Sequence, residues 1–406
     1  NGRRSLLAEI ATLREEGLGH LEAAFRLRLE HVALDPSDPG GRQELEQLAG
    51  KVDGWPSVAS LYSKAIGVFT EDAPSDLPGS VEKIEDSEVE AQVTLRLAEL
   101  YEAQLEQLEL SVECYERVLS YTPSSLETLG ALERLHARLS DWESLLAAYQ
   151  VRLDLIWDVE DKKALHLDIC QLLRDELSRP EDAIAHYQAY LELDEESLDV
   201  IAELEELYAE HERWDDLIGL LRRRLSLAKI PGERVDVLMR MAALHRTHLD
   251  DLHQTFEAYA GVLAIDPEHE GAVDALEGLL SEDDHLNWPS LVPRLADTLQ
   301  PWFSKHGQWQ REAGVLIARH KVASDDESRA AYIYAIGQLY EGPGRSVEDA
   351  FGAYCDAIKI YPALSEAANA LERTARALSR FDTWADILEG AAHIGDPAIA
   401  IPLLLK

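Results

Sequence analysis

Five glutamates, Glu46, Glu133, Glu205, Glu277 and Glu372, each directly follow a leucine. Paired carboxylates run glycoside hydrolysis, so they are the first residues to weigh. Their regular recurrence argues against that chemistry. An acid–base pair is needed once, whereas a residue repeated along a chain serves a helix surface or a hydrogen bond between neighbouring elements. His245, His248 and His253 lie beside Asp250 and Asp251, and two histidines three residues apart on a helix are a fragment of a metal site. His245 occupies the slot held elsewhere by Tyr101 and Tyr340, which favours a packed side chain, and no metal or cofactor is expected. Cys114, Cys170 and Cys355 form neither a disulfide framework nor a paired zinc signature. Gly342-Pro343-Gly344-Arg345-Ser346 lacks the lysine of a phosphate loop and reads as a turn. Arg222, Arg223 and Arg224 follow Glu212, Asp215 and Asp216 and are expected to be neutralised on their own helix.

The elements that would position these residues repeat. Tyr115, Tyr187 and Tyr259 stand 72 residues apart, and the frame extends outward to Arg28 and Tyr354. Four residues before each column member lies a small residue: Ala24, Ser111, Ala183, Thr255 or Ala350. Seventeen before lies another: Ala11, Ala98, Cys170, Ala242 or Gly337. Seventeen after begins the Leu-Glu pair of each repeated glutamate, and 27 to 30 after stands Trp55, Trp142, Trp214, Trp288 or Trp384. Apolar residues between these anchors recur at threes and fours, as in Leu217, Leu220, Leu221 and Leu225, which is helix spacing. Pro231-Gly232, Asp266-Pro267 and Pro343-Gly344 fall where helices should stop. The pattern predicts an all-α chain: an α-solenoid of antiparallel helical hairpins, about twenty helices in five 72-residue modules, each stabilised by stacking on its neighbours.

Composition narrows the function classes. Acidic residues outnumber basic ones 77 to 38, a formal net charge of −39, which repels a phosphate backbone and excludes general nucleic-acid binding. No apolar run reaches the ~18 residues that a membrane span requires, so no direct membrane insertion is expected. Few cysteines and no signal-peptide layout at the start fit a cytoplasmic protein, and the arginine excess, 28 against 10 lysines, points to a GC-rich bacterial genome.

The frame breaks twice. Residues 70–88 read as an acidic, proline-containing loop between a first module at 1–69 and further modules at 89–288. Residues 289–309 form an apolar insertion holding Trp302, Phe303 and Trp309, which either plug the gap they open or make a contact site. A fifth module and the start of a sixth occupy 310–406; both chain ends fall inside a module, as in one piece of a longer array.

Leu97-Ala98 with Tyr101, then Ser111, Tyr115 and Pro123, and likewise Ile336-Gly337 with Tyr340, then Ala350, Tyr354 and Pro362, resemble the small, aromatic and proline signature of the tetratricopeptide repeat family. The resemblance is specific for one hairpin per module and weaker for the other, where glutamate replaces the family's small residue. It implies a right-handed solenoid whose concave surface, lined by the first helix of each hairpin, binds a peptide or partner helix. The inward positions it implies include Thr12, Gln47, Glu99, Arg134, Gln171, Glu206, Ala243, Gly278, Gln338 and Arg373. The lysine and asparagine clamp with which some members hold chaperone tails is not among them. The resulting expectation is a non-enzymatic scaffold binding a protein or peptide with a basic face within a multi-protein complex. The candidate contacts are Glu99, Arg134, Gln171, Glu206, Gln338 and Arg373, with Trp302, Phe303 and Trp309. An all-helical α/α-toroid glycosidase and an acidic chaperone for basic proteins are the alternatives.

Overall fold

The computed structural model describes residues 2–68, 78–281 and 289–394. Among them are twenty-one α-helices and no strand. The first module comprises α1 (Gly2–Thr12, continued by a π-helical turn, Leu13–Gly17), α2 (Leu21–Leu34), α3 (Pro39–Val52) and α4 (Trp55–Ala65). The second holds α5 (Ser87–Ala103), α6 (Leu108–Tyr121), α7 (Leu126–Leu139) and α8 (Trp142–Leu155). The third holds α9 (Val159–Asp175), α10 (Pro180–Leu193), α11 (Leu198–Glu210) and α12 (Trp214–Leu227). Five helices follow in the fourth: α13 (Pro231–Thr247), α14 (Leu252–Ile265), α15 (Glu270–Ser281), α16 (Leu291–Lys305) and α17 (Trp309–Val322). The fifth runs α18 (Asp326–Glu341), α19 (Val347–Ile360), α20 (Ser365–Leu378) and α21 (Phe381–Ile394). The helices form two compact units, Asn1–Val200 and Ile201–Lys406, each a stack of hairpins in which helices pack mainly on their sequence neighbours.

The small residues do what their recurrence implies. Ala24, Ser111, Ala183, Thr255 and Ala350 are each wholly buried. In each module's first hairpin they oppose the small column of the partner helix: Ser111 Oγ donates to the Ala98 carbonyl at 2.9 Å, and Cys170 Sγ meets the Ala183 carbonyl at 3.5 Å. Only short side chains let two backbones approach this closely. Tyr115, Tyr187, Tyr259 and Tyr354 are buried alongside, and three of their hydroxyls bond thirteen residues back, to Glu102, Arg174 and Glu341. Helix starts are capped from the sequence: Asp86, Asp158, Asp325, Ser125 and Ser346, among others, accept bonds from amides two or three residues on.

The turns are as regular as the cores. Gly19, Glu106, Ser178, Asp250 and Arg345, each nine residues before the aromatic column, have left-handed φ between 49° and 66°. In each case the next residue's amide bonds the carbonyl six residues earlier, as from Arg179 to Leu173 or from Ser346 to Tyr340. A second set, Asp53, Ser140, Glu212, Gly307 and Ser379, has φ between 54° and 66°, and there the following amide bonds the carbonyl five residues earlier. These are C-terminal caps of the left-handed type.

That second turn corrects the tryptophan register. The helix after it begins two residues on, at Trp55, Trp142, Trp214, Trp309 and Phe381. Trp309 and Phe381 therefore take the positions that spacing gave to Trp288 and Trp384. Trp384 lies inside α21, and Trp288 is outside the described residues, as are residues 70–77 of the loop expected at 70–88 and the end of the chain from 395. Within the insertion at 289–309, Phe303 is wholly buried, edge-on to Trp302 at 5.7 Å between ring centroids and covered by the Arg311 guanidinium at 4.5 Å. Phe303 is thus core rather than contact surface, because it takes the α16 position that Tyr208 holds in α11, both five residues before the amide that closes the turn.

Candidate functional site

The repeated glutamates sit on the third-position helices, and arginines reach them, from other helices in every case but Glu372. On α3, Glu46 accepts from the Tyr62 hydroxyl at 2.9 Å and from Arg96 of α5 at 3.0 and 2.9 Å. On α11, Glu205, 2% exposed, is held by Arg224 of α12 at 3.0 Å and by Arg240 of α13. Glu277 of α15 takes Arg311 of α17, whose Nε lies 2.7 Å away, and Glu372 pairs with Arg376 at 2.5 Å along α20. The first three carboxylates are tied into ion pairs between helices and Glu372 into one along its own helix. Arg224 belongs to the basic run whose charge was assigned to acids of its own helix. Its partner is instead the buried Glu205, because the side chain points across the hairpin to α11.

The junction of the second and third modules differs. Glu133 of α7 accepts from Arg152 of α8 at 2.8 Å, as Glu205 does from Arg224. From the next helix, however, comes Asp168 of α9, in the column that is Arg96 one module earlier and Arg240 one module later. Burial raises the Glu133 carboxyl above its ordinary value, Arg152 opposes the shift, and Asp168 adds to it. Burial likewise raises Asp168, again against Arg152. Glu133 is buried and its Oε1 has no hydrogen-bond partner. Asp168 is exposed. Tyr149, half-buried beside them, is raised by burial and by both carboxylates.

The residues proposed to face a partner lie on two units. In the first, Glu99 pairs with Arg96 at 2.6 Å, Arg134 reaches Glu102 at 3.4 Å, and Gln171 is exposed. In the second, Glu206 and Gln338 are exposed, the latter donating to the Tyr334 hydroxyl at 2.9 Å. Arg373 is exposed as well and holds Glu341 at 2.7 Å. Trp302 is half-buried, donates from Nε1 to the Pro267 carbonyl at 3.1 Å and stacks on His306 at 3.9 Å; Trp309 is half-buried against Tyr340. Sequence reading missed Asp168 and Arg152. The 72-residue column Arg96, Asp168, Arg240 was the signal that could have found them.

Among the described residues no three of His, Cys, Asp and Glu are placed to hold a metal. His245 is buried, its pKa lowered by burial, and His248 stacks on Trp214 at 3.7 Å. Burial pushes the Cys114 thiol up to about 12 and that of Cys355 up to about 11, which keeps both protonated and unreactive. A cleft of about 640 Å³ between α1, α2 and α3 is lined by Arg28, His31 and Glu44, with Arg28 already paired to Glu44 at 2.6 Å. No helix among the described residues is long and apolar enough to cross a membrane.

Stacked antiparallel hairpins with paired small columns, left-handed turn caps and inter-helix ion pairs define a helical-repeat protein of the α-solenoid class. Residues 200–235 match the tetratricopeptide repeat family, so one hairpin of this helical-repeat chain carries that family's pattern. The matched segment spans α11, α12 and the start of α13, so the family's pattern is met in the glutamate-bearing hairpin, where the sequence resemblance was the weaker. No curated protein matches. Among solved structures, the chain is similar to YrrB, described as a tetratricopeptide protein with an unusual peptide-binding site (16% identity over 53% of this chain and 98% of that one, TM-score 0.26). It is similar to a structure of Naa15/Naa10 bound to HypK (12% identity, 98% of this chain and 64% of that one, TM-score 0.34). A further likeness is to the C-terminal part of a tetratricopeptide protein from Cytophaga hutchinsonii (12% identity, 68% and 99%, TM-score 0.26).

Proposed function

We propose that the chain is a non-enzymatic interaction module that holds a protein or peptide with a basic face, within a cytoplasmic multi-protein assembly. Repeats of this type mediate protein–protein contact in general. The observation that carries the finer reading is the chain's acidic excess: 77 carboxylate residues against 38 cationic ones, so that even after the helices pair their own arginines a surplus of negative charge remains. A complementary partner is steered to such a surface and loses affinity as salt rises. The candidate contacts are Glu99, Arg134, Gln171, Glu206, Gln338 and Arg373, joined by Trp302 and Trp309 at the insertion.

The test is to purify the tagged protein with its natural partner, map the contact by cross-linking, and titrate salt against the recovered complex. A basic contacting segment and weakening with salt are expected. An acidic contacting face, with association strengthened by salt, would refute the reading.

A further inference from the structure

At two junctions between modules the first helix of the following module sends an arginine back onto the repeated glutamate, and at the junction between those two it does not. At the junction of the first and second modules, Arg96 of α5 runs onto Glu46 of α3. At the junction of the third and fourth, Arg240 of α13 runs onto Glu205 of α11. At the junction between them the same column delivers Asp168, a shorter side chain of opposite charge, toward Glu133. Two carboxylates there share a single guanidinium, that of Arg152, which bonds Glu133 Oε2 at 2.8 Å. The Glu133 side chain is nine-tenths buried, at 10% exposure, yet its Oε1 has no hydrogen-bond partner, and Asp168 makes no hydrogen bond or ion pair with any described residue. A buried carboxylate oxygen left unpaired is unfavourable, and two nearby carboxylates raise the energy of each other's charge.

We propose that this junction, Glu133 beneath and Asp168 at the rim with Tyr149 beside them, is a receptor for one arginine side chain of the partner. The guanidinium would do from outside what Arg96 and Arg240 do from within. It pairs with the exposed Asp168 carboxylate in the planar fork that suits carboxylates, and its charge offsets that of Glu133 buried beneath. The chain itself selects arginine at this position in both flanking junctions, which favours a guanidinium over an ammonium. The raised carboxyl values agree with this arrangement, since each falls when a cation arrives. The inference rests on the interaction reading above and adds to it the residue that the partner must present.

A random peptide library displayed on phage and selected on the purified full chain tests both. Two variants are run beside the wild type: Asp168→Arg, which supplies the missing guanidinium internally, and Glu109→Arg, which changes net charge equally at an exposed site of α6. Peptides from the wild type and from Glu109→Arg should carry a fixed arginine, and replacing it by the neutral isostere citrulline should weaken binding by about tenfold or more in fluorescence anisotropy. Asp168→Arg should keep or raise the melting temperature and lose the arginine preference. Asp168→Asn serves the same purpose if the arginine variant does not fold, with a smaller loss expected. Peptides that hold no fixed arginine, that accept lysine equally, or that bind Asp168→Arg as well as wild type overturn this inference while leaving the interaction reading intact. Recovery of no peptide by any of the three proteins overturns both.

Discussion

Replacing Gly337 by alanine should destabilise the fifth module although the same change elsewhere in a helix stabilises. A mid-helix glycine-to-alanine substitution ordinarily gains about 1 kcal/mol from helix propensity. At Gly337 a Cβ would stand 2.7 Å from Cδ1 and 3.0 Å from Cζ of Tyr354, and closer still to Cε1, where carbon atoms prefer about 3.5–4.0 Å. Tyr354 is wholly buried and anchored at its hydroxyl, 2.8 Å from Glu341, which also takes Arg373. The ring cannot yield without loosening that bond. Overpacking of this kind costs about 1–3 kcal/mol, and a disturbed hydrogen bond about 1 kcal/mol more, so the net change is a loss of roughly 1–3 kcal/mol. Gly352, on the next helix with nothing within 4 Å of its would-be Cβ, is the internal control and should gain about 1 kcal/mol as alanine. Repeat arrays do not unfold in one step, so the readout is hydrogen exchange at the amides of α18 and α19, supported by urea melts followed by circular dichroism. Slower exchange in Gly337→Ala than in wild type would refute the packing argument.

Three further outcomes follow from the geometry. Glu205→Ala leaves Arg224 and Arg240 facing each other; both are partly solvated, so the loss in a urea melt should be about 1–3 kcal/mol rather than the larger cost of a fully buried pair, and no loss would show the pair to be idle. His166 and His186, whose Nδ1 atoms lie 3.1 Å apart, both have pKa values lowered by burial, with Lys162 and each other's charge adding for His166 and Asp182 opposing for His186. Folding therefore favours their neutral forms: the stability they give is present above the ordinary value of 6.5 and is lost as pH falls below it. Melting temperature should drop over that range and drop less in His186→Gln; a flat profile would contradict it. Phe303→Ala should cost about 3–5 kcal/mol as a core truncation, whereas Trp302→Ala should lose partner binding with a smaller change in melting, and the reverse order would show that the two residues' roles are exchanged.

The helical hairpins were legible because the constraint that forms them acts on residue type. A crossing that admits only Ala, Ser, Thr, Cys or Gly leaves the same mark in each module, and Ala24, Ser111, Ala183, Thr255 and Ala350 carry it in plain view. Apart from the stretch around Arg345, the turns were not legible, since a left-handed cap places a backbone angle and not a side chain: Glu106, Ser178, Asp250 and Arg345 share a conformation and little else. That is why Trp288 and Trp384 could stand in for Trp309 and Phe381. The glutamate column was visible, but the arginines of Glu46, Glu133 and Glu205 lie 19 to 50 residues away on other helices, and the exchange of arginine for Asp168 shows only when the first-helix columns are laid over one another.

The uniformity of those turns bears on how such a chain can grow. All first turns close through one hydrogen bond and all second turns through another, whatever residues occupy them, so a segment cut at two turns of the same kind carries compatible ends wherever it is moved. The fourth module divides between two helices the features that one helix carries elsewhere. It holds α15, which carries the Leu-Glu pair of a third helix, and α16, which carries the turn of one. The joint is the constant of this array, and the fourth module adds a helix without altering it.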